Sequence, residues 1–119
     1  MKTTIYGLID PHTHRTRYVG RTNHTATKRF KEHIQEARRG NVRPVYDWIR
    51  SLLPRVPVLH VLEVIADGDG EVTLPDGKYE NKGSAAETKW SKRFERSQLF
   101  NWIDRDSRAY RRLVNTFKV

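Results

Sequence analysis

Two tyrosines stand at matching places early in the chain, in Ile5-Tyr6-Gly7 and in Tyr18-Val19-Gly20. Further on, Arg29 and His33 lie four residues apart, a spacing that puts both on one face of a helix. Glu87 stands by itself in Ser84-Ala85-Ala86-Glu87, and Asn101 follows in Leu99-Phe100-Asn101. A phenol, a guanidinium, an imidazole and a carboxylate can between them move a proton, grip an anion and hold a hard cation. Each also has a purely structural reading. A strand tyrosine packs, and an Arg/His pair on a helix faces water. Ser84-x-x-Glu87 has the form of a capping box, in which the Glu side chain reaches back to the Ser backbone N–H. His12 and His14 look like a metal pair, but they sit two apart with no third ligand near them, which argues against a metal there.

These residues need elements to position them. Thr3 to Ile9 reads as a strand rich in β-branched and aromatic residues, and Asp10-Pro11 opens a turn. Arg17-Tyr18-Val19 resumes the strand and Gly20 ends it, so the two form an antiparallel hairpin with Pro11 to Arg15 at its tip. Thr25-Ala26-Thr27 is an N-cap region for a helix to about Arg39, with Gly40 as its stop and Ala26, Phe30, Ile34 and Ala37 facing a core. Pro44 starts a second helix, whose apolar face is Val45, Trp48, Ile49, Leu52 and Leu53, and Pro54 closes it. Val56 to Ile65 is a nearly continuous apolar run, the pattern of a central strand. Turns at Asp67-Gly68-Asp69-Gly70 and Pro75-Asp76-Gly77 bound two short strand-like pieces, Glu71 to Leu74 and Lys78 to Glu80. Ser84 begins a helix through about Arg96, and Leu99 to Ile103 leads into a basic C-terminal helix from about Asp104. There is no repeat, low-complexity stretch or linker, so residues 1–119 read as one domain.

Composition narrows the chemistry. The 119 residues are 36 % apolar and 31 % charged, with a formal charge of +9. Such a balance favours a polyanionic partner, because each phosphate neutralised releases condensed counterions. The charge is uneven: net +8 over residues 1–60, −5 over 61–87 and +6 over 88–119. The acidic stretch suits either a contact mediated by a divalent cation or a solvated hairpin away from the ligand. Zero cysteines exclude a disulfide scaffold, a thiol nucleophile and any Cys-ligated metal site. No apolar run nears the roughly 18 residues of a membrane span, and the N-terminus lacks a signal-peptide core. The expected location is cytoplasmic or nucleoid-associated, with no membrane partner.

Taken jointly, these positions resemble the GIY-YIG nuclease family over nearly the whole chain. Thr4-Ile5-Tyr6 stands at the GIY position and Tyr18-Val19-Gly20 at the YIG position. Arg29 and His33 match the helix pair, Glu87 the metal-binding glutamate and Asn101 the later asparagine. Thr4 replaces the first glycine, and the acidic segment 66–83 reads as an inserted hairpin. The resemblance implies an α+β fold, a small three-stranded antiparallel sheet flanked by helices. It also implies hydrolysis of DNA phosphodiesters to 5′-phosphate and 3′-hydroxyl ends with one Mg²⁺ or Mn²⁺ per site. The alternative is a catalytically idle domain of the same type that binds nucleic acid. Under the resemblance, Tyr6 is the general base and Arg29 forks onto two phosphate oxygens. Glu87 holds the metal. His33 and Tyr18 position the nucleophile or the phosphate, and Asn101 holds the geometry or contacts a phosphate. A tyrosine pKa of about 10 leaves roughly one phenol in a thousand ionised at neutral pH, so neighbouring cations must help Tyr6. Arg17, Arg21, Lys28, Lys31 and Lys92 are expected contacts to the DNA backbone, and oligomeric state is left open. No separate recognition module is visible, so any sequence preference must come from residues 66–83 or the C-terminal helix.

Overall fold

The structure, a computed structural model, describes residues 1–95 and 98–102. The expected C-terminal helix from Asp104 lies outside the described residues. The first hairpin pairs β1 (Thr3–Ile9) with β2 (Thr16–Thr22). Asp10 builds its tip. One carboxylate oxygen accepts the backbone N–H of His12 at 2.7 Å and of Thr13 at 3.2 Å, the local bonding that makes Asp a turn residue. The other oxygen accepts Trp48 Nε1–H at 3.3 Å, tying the tip to the core.

Helices α1 (Ala26–Arg38) and α2 (Pro44–Leu52) follow, close to their expected bounds. Thr25 caps α1 by accepting the Lys28 N–H at 3.1 Å. Arg50 of α2 donates to the carbonyl of Ala37, in the last turn of α1, at 2.8 Å and to that of Asn41, in the loop that follows, at 2.7 Å. The chain then enters β3 (Val58–Ile65) and a separate hairpin, β4 (Glu71–Thr73) with β5 (Tyr79–Asn81). Helix α3 (Lys82–Ser91) and a 3₁₀ turn at Phe100–Trp102 complete the described chain.

The main sheet is antiparallel with strand order β2-β1-β3, the α+β arrangement expected. Its centre is β1, whereas the Val56–Ile65 run had the pattern of a central strand. That run is apolar because elements pack on both sheet faces. Leu59 joins the cluster of Tyr6, Leu8, Trp48 and Ile49, while Leu62 and Ile65 join Ile5, Val19, Ala86 and Leu99 on the other side. Between these, Ile5 pairs with Glu63 and Tyr6 with Val61, so Leu62 is the extra residue of a bulge. Val58, Val61 and Val64 are left exposed.

The opposite edge, β2, is tied down by side-chain amides from beyond α3. Asn101 accepts the Val19 N–H at 2.9 Å and donates to the Val19 carbonyl at 2.6 Å, and Gln98 donates to the Thr16 carbonyl at 3.0 Å. Among the described residues no helix is long and apolar enough to cross a membrane.

Helix α3 corrects the capping-box reading. It starts at Lys82 and ends at Ser91, and its cap is Asn81, whose side chain accepts the Ser84 N–H at 2.7 Å. Ser84 is already inside the first turn and donates its hydroxyl to Glu80 at 2.6 Å. Glu87 therefore plays no part in capping. Asn81→Ala is expected to lower stability by about 1 kcal/mol in urea denaturation, and Ser84→Ala by less. The reverse order would restore Ser84 as the cap.

Candidate active site

The site is assembled around Tyr6, at the middle of the central strand. Tyr6 pairs with Gly20 on β2. A Cβ at Gly20 would lie 2.5 Å from Tyr6 Cζ and 2.9 Å from the Tyr18 ring, so only glycine lets the Tyr6 ring lie across β2. From α1, His33 reaches down to meet it, and Tyr6 Oη and His33 Nε2 are 2.6 Å apart. Both residues are 1 % exposed. The ring of Tyr18, which is half-buried, stands edge-on to His33 with centroids 5.3 Å apart.

Charge distinguishes the members of this cluster. Burial pushes the Tyr6 phenol well above its ordinary pKa; nearby Tyr18 adds to the rise, and the charge and hydrogen bonding of Arg29 oppose it. Burial also raises Tyr18, aided by the Glu87 carboxylate, while Arg29 and Arg43 pull the other way. His33 is pushed down to about 4, first by burial and then by the Arg29 cation. Burial alone would lower Arg29, but Tyr6 and the Glu32 carboxylate, which accepts from Nη1 at 3.0 Å, raise it overall. Near neutral pH the centre is thus two neutral phenols and a neutral imidazole beside a permanent cation.

Glu87, on α3, acts electrostatically on Tyr18. Burial raises its pKa, and Arg21 opposes that rise. Among the described residues its carboxylate has no hydrogen-bond partner, so its lone pairs are available to a cation. That fits a hard divalent ion, which takes one or two carboxylates and keeps several waters. No group of three His, Asp or Glu side chains that could hold a metal occurs among the described residues, and His12 and His14 are exposed.

The structure therefore gathers Tyr6, Tyr18, Arg29, His33 and Glu87 from four elements. Asn101 stands behind them, with both ends of its amide spent on the Val19 backbone between Tyr18 and Gly20. It holds the geometry of β2 beside Tyr18 and Gly20. Arg17, expected on the DNA surface, is buried instead, with its guanidinium 5.1 Å from the centre of the Phe100 ring. Its strand position turns the side chain inward. Arg21, Lys28, Lys31 and Lys92 are exposed.

Tyr46 is the member that sequence reasoning missed. It is buried on α2, its ring centroid is 5.7 Å from that of His33, and its hydroxyl acts electrostatically on Tyr6, Tyr18 and Arg29. The signal was its place beside the Val45-Trp48-Ile49-Leu52 stripe, where a tyrosine carries a polar tip into a packed face.

Two consequences can be measured. Gly20→Ala is expected to cost more than about 1 kcal/mol, because the rigid Tyr6 ring must move. Gly7→Ala on the neighbouring strand, whose nearest contact would be an ordinary 3.4 Å, is expected to be close to neutral. Equal effects in thermal melts would remove the special role of Gly20. The second consequence concerns pH. Unfolded His33 takes up a proton near pH 6.5, whereas folded His33 stays neutral down to about 4. The unfolded state binds more protons in that window, so stability falls as pH drops from 6.5 to 4, by about 3 kcal/mol. His33→Gln should flatten this limb of the denaturation profile, and an unchanged slope would contradict the burial of His33 as a neutral base.

No known protein family, characterised protein or solved structure matches this chain.

Proposed function

We propose that the protein is a metal-dependent DNA endonuclease of the GIY-YIG type that leaves 5′-phosphate and 3′-hydroxyl ends. The observation that carries the reading is the meeting of Tyr6, Tyr18, Arg29, His33 and Glu87 in one cluster although they lie as far apart in sequence as β1 and α3. Packing alone gives no reason for a permanent cation and an unpartnered carboxylate both to act on Tyr18.

The proposed roles follow from the geometry. Arg29 offers a planar fork to two oxygens of the scissile phosphate, and its charge is retained throughout. Tyr6 is held as a neutral phenol. It therefore acts best as a relay: its oxygen accepts a proton from the attacking water while its own proton passes to His33 Nε2, 2.6 Å away, once the bound phosphate offsets the Arg29 charge that otherwise suppresses protonation of the imidazole. No phenolate has to exist before the reaction. Tyr18, half-buried and beside Glu87, orients the water or the phosphate. Glu87 would hold Mg²⁺ or Mn²⁺, which when bound polarises a phosphoryl oxygen and stabilises the departing one. Exposed Arg21, Lys28, Lys31 and Lys92 would follow the DNA backbone.

One observation favours the second reading, a domain that binds nucleic acid without cutting it. At 1 % exposure the Tyr6 side chain meets almost no solvent in this state. The two readings part on variants assayed with supercoiled plasmid and Mg²⁺. Glu87→Gln is expected to keep the fold and DNA binding but to nick at least ~100-fold more slowly, because an amide is a poor ligand for a hard cation. Tyr6→Phe is expected to cost about 1–3 kcal/mol of stability, since it strips His33 of its partner. Its nicking should fall by at least ~100-fold. Wild-type protein that binds plasmid and never nicks it would establish the binding-only reading. Tyr6→Phe cutting at the wild-type rate would reduce Tyr6 to packing.

A further inference from the structure

The proposed chemistry leaves Tyr46 without a task. Its place on α2 asks only for an apolar ring: Val45, Trp48, Ile49 and Leu52 beside it are core residues, and phenylalanine would fill the same space. Yet the residue carries a hydroxyl at 5 % exposure, and that hydroxyl makes no hydrogen bond among the described residues. A polar group so nearly removed from water is ordinarily paired within the protein. The oxygen itself is not sealed from solvent. Its partner must therefore come from outside.

The surroundings say which partner fits. The Tyr46 and His33 rings lie 5.7 Å apart, centroid to centroid, and Tyr46 packs in the same core cluster as Tyr6. Tyr6 and His33 are closed over their shared hydrogen bond, so an incoming ligand meets the cluster at its more open members. Those are partly exposed Arg29, half-buried Tyr18 and the Tyr46 oxygen. Arg29 has engaged Nη1 with Glu32 at 3.0 Å, which leaves its other N–H groups facing the cluster's opening or Tyr6. Burial, Tyr6 and Glu32 weigh most on the Arg29 charge, and Tyr46 comes next, ahead of Tyr18. The phenol is a near neighbour of the guanidinium without being bonded to it.

We infer that Tyr46 is a substrate-contacting residue, whose hydroxyl donates to a non-bridging oxygen of the DNA phosphate that Arg29 grips. A guanidinium only donates, so a phenol beside it and the guanidinium itself are both satisfied by one ligand that brings several acceptors and a negative charge. A phosphodiester does so with its two non-bridging oxygens. That the phosphate is the scissile one rests on the nuclease reading. Contact with a DNA phosphate does not.

The contact is tested on the full chain and its Tyr46→Phe variant. The variant keeps the ring against His33 and removes only an unpaired hydroxyl, so its melting temperature is expected within ~2 °C of wild type or above it. Its affinity for a fluorescent duplex, measured with EDTA present, should fall by ~10-fold, as for one lost hydrogen bond to a charged acceptor. A hydroxyl donor brings no cation and releases no counterion, so the slope of log affinity against log salt should stay at the wild-type value. With Mg²⁺ and sub-saturating plasmid, nicking should slow by a similar factor. A variant that binds like wild type reduces Tyr46 to packing and overturns the inference, and if wild type nicks plasmid the nuclease reading stands. A melting temperature lowered further than expected would show the hydroxyl paired inside the protein, and a shallower salt slope would trace the loss to charged groups. Either overturns the contact. Wild-type protein that binds and never nicks, together with the binding loss in the variant, supports the contact and overturns the nuclease. No binding by the wild type overturns both.

Discussion

The hydrogen bond between the Tyr6 hydroxyl and the His33 imidazole is the constraint on which the rest of the site depends. It joins the central strand to α1 where neither side chain has water to turn to. A buried polar pair of this kind is stabilising only while both partners are in place. The sequence around it serves that need. Gly20 leaves room for the Tyr6 ring, Asn101 fixes the backbone on either side of Val19, and Tyr18 and Tyr46 wall the imidazole. The far nitrogen, His33 Nδ1, is buried without a hydrogen-bond partner. An unsatisfied buried polar atom costs stability, and proteins tolerate such costs most readily where chemistry is done.

Electrostatics around the pair divides the labour. Arg29 is the cation common to the cluster, acting on Tyr6, Tyr18 and His33 together. Its charge moderates the rise in both phenols and suppresses protonation of the imidazole. The result is a dry, neutral Tyr6–His33 pair beside the part-buried Arg29 cation. Glu87 acts on Tyr18 in the opposite sense. Its carboxylate, destabilised by burial, gains from any cation that joins it.

Much of this was legible in the residues. β1, α1 and α2 were bounded to within a residue or two because their signals are local: β-branched alternation, a Thr cap, a Pro at a first helical turn. The approach of Tyr6, Tyr18 and His33 was expected only through the family resemblance, since no local spacing brings β1, β2 and α1 together. Other features were not. The apolar run of β3 was read as central because burial on two faces looks the same at an edge as in the middle. Ser84-x-x-Glu87 satisfies a capping-box spacing, yet Asn81 lies one turn earlier and captures the Ser84 N–H first. Arg17 was counted with the surface cations, since its stacking on Phe100 depends on a contact between distant parts of the chain. The place of Tyr46 shares that cause: it is made by tertiary packing, which no local spacing encodes.

The central claim is that Tyr6 and His33 form a buried neutral pair. The most direct measurement follows the ¹³Cζ signal of Tyr6 and the ring signals of His33 by NMR across the pH range. The account predicts a Tyr6 phenol that stays protonated beyond pH 10, where a free tyrosine is half ionised, and a His33 that stays neutral to about pH 4. Ordinary titration of Tyr6 near pH 10 together with His33 near 6.5 would contradict it.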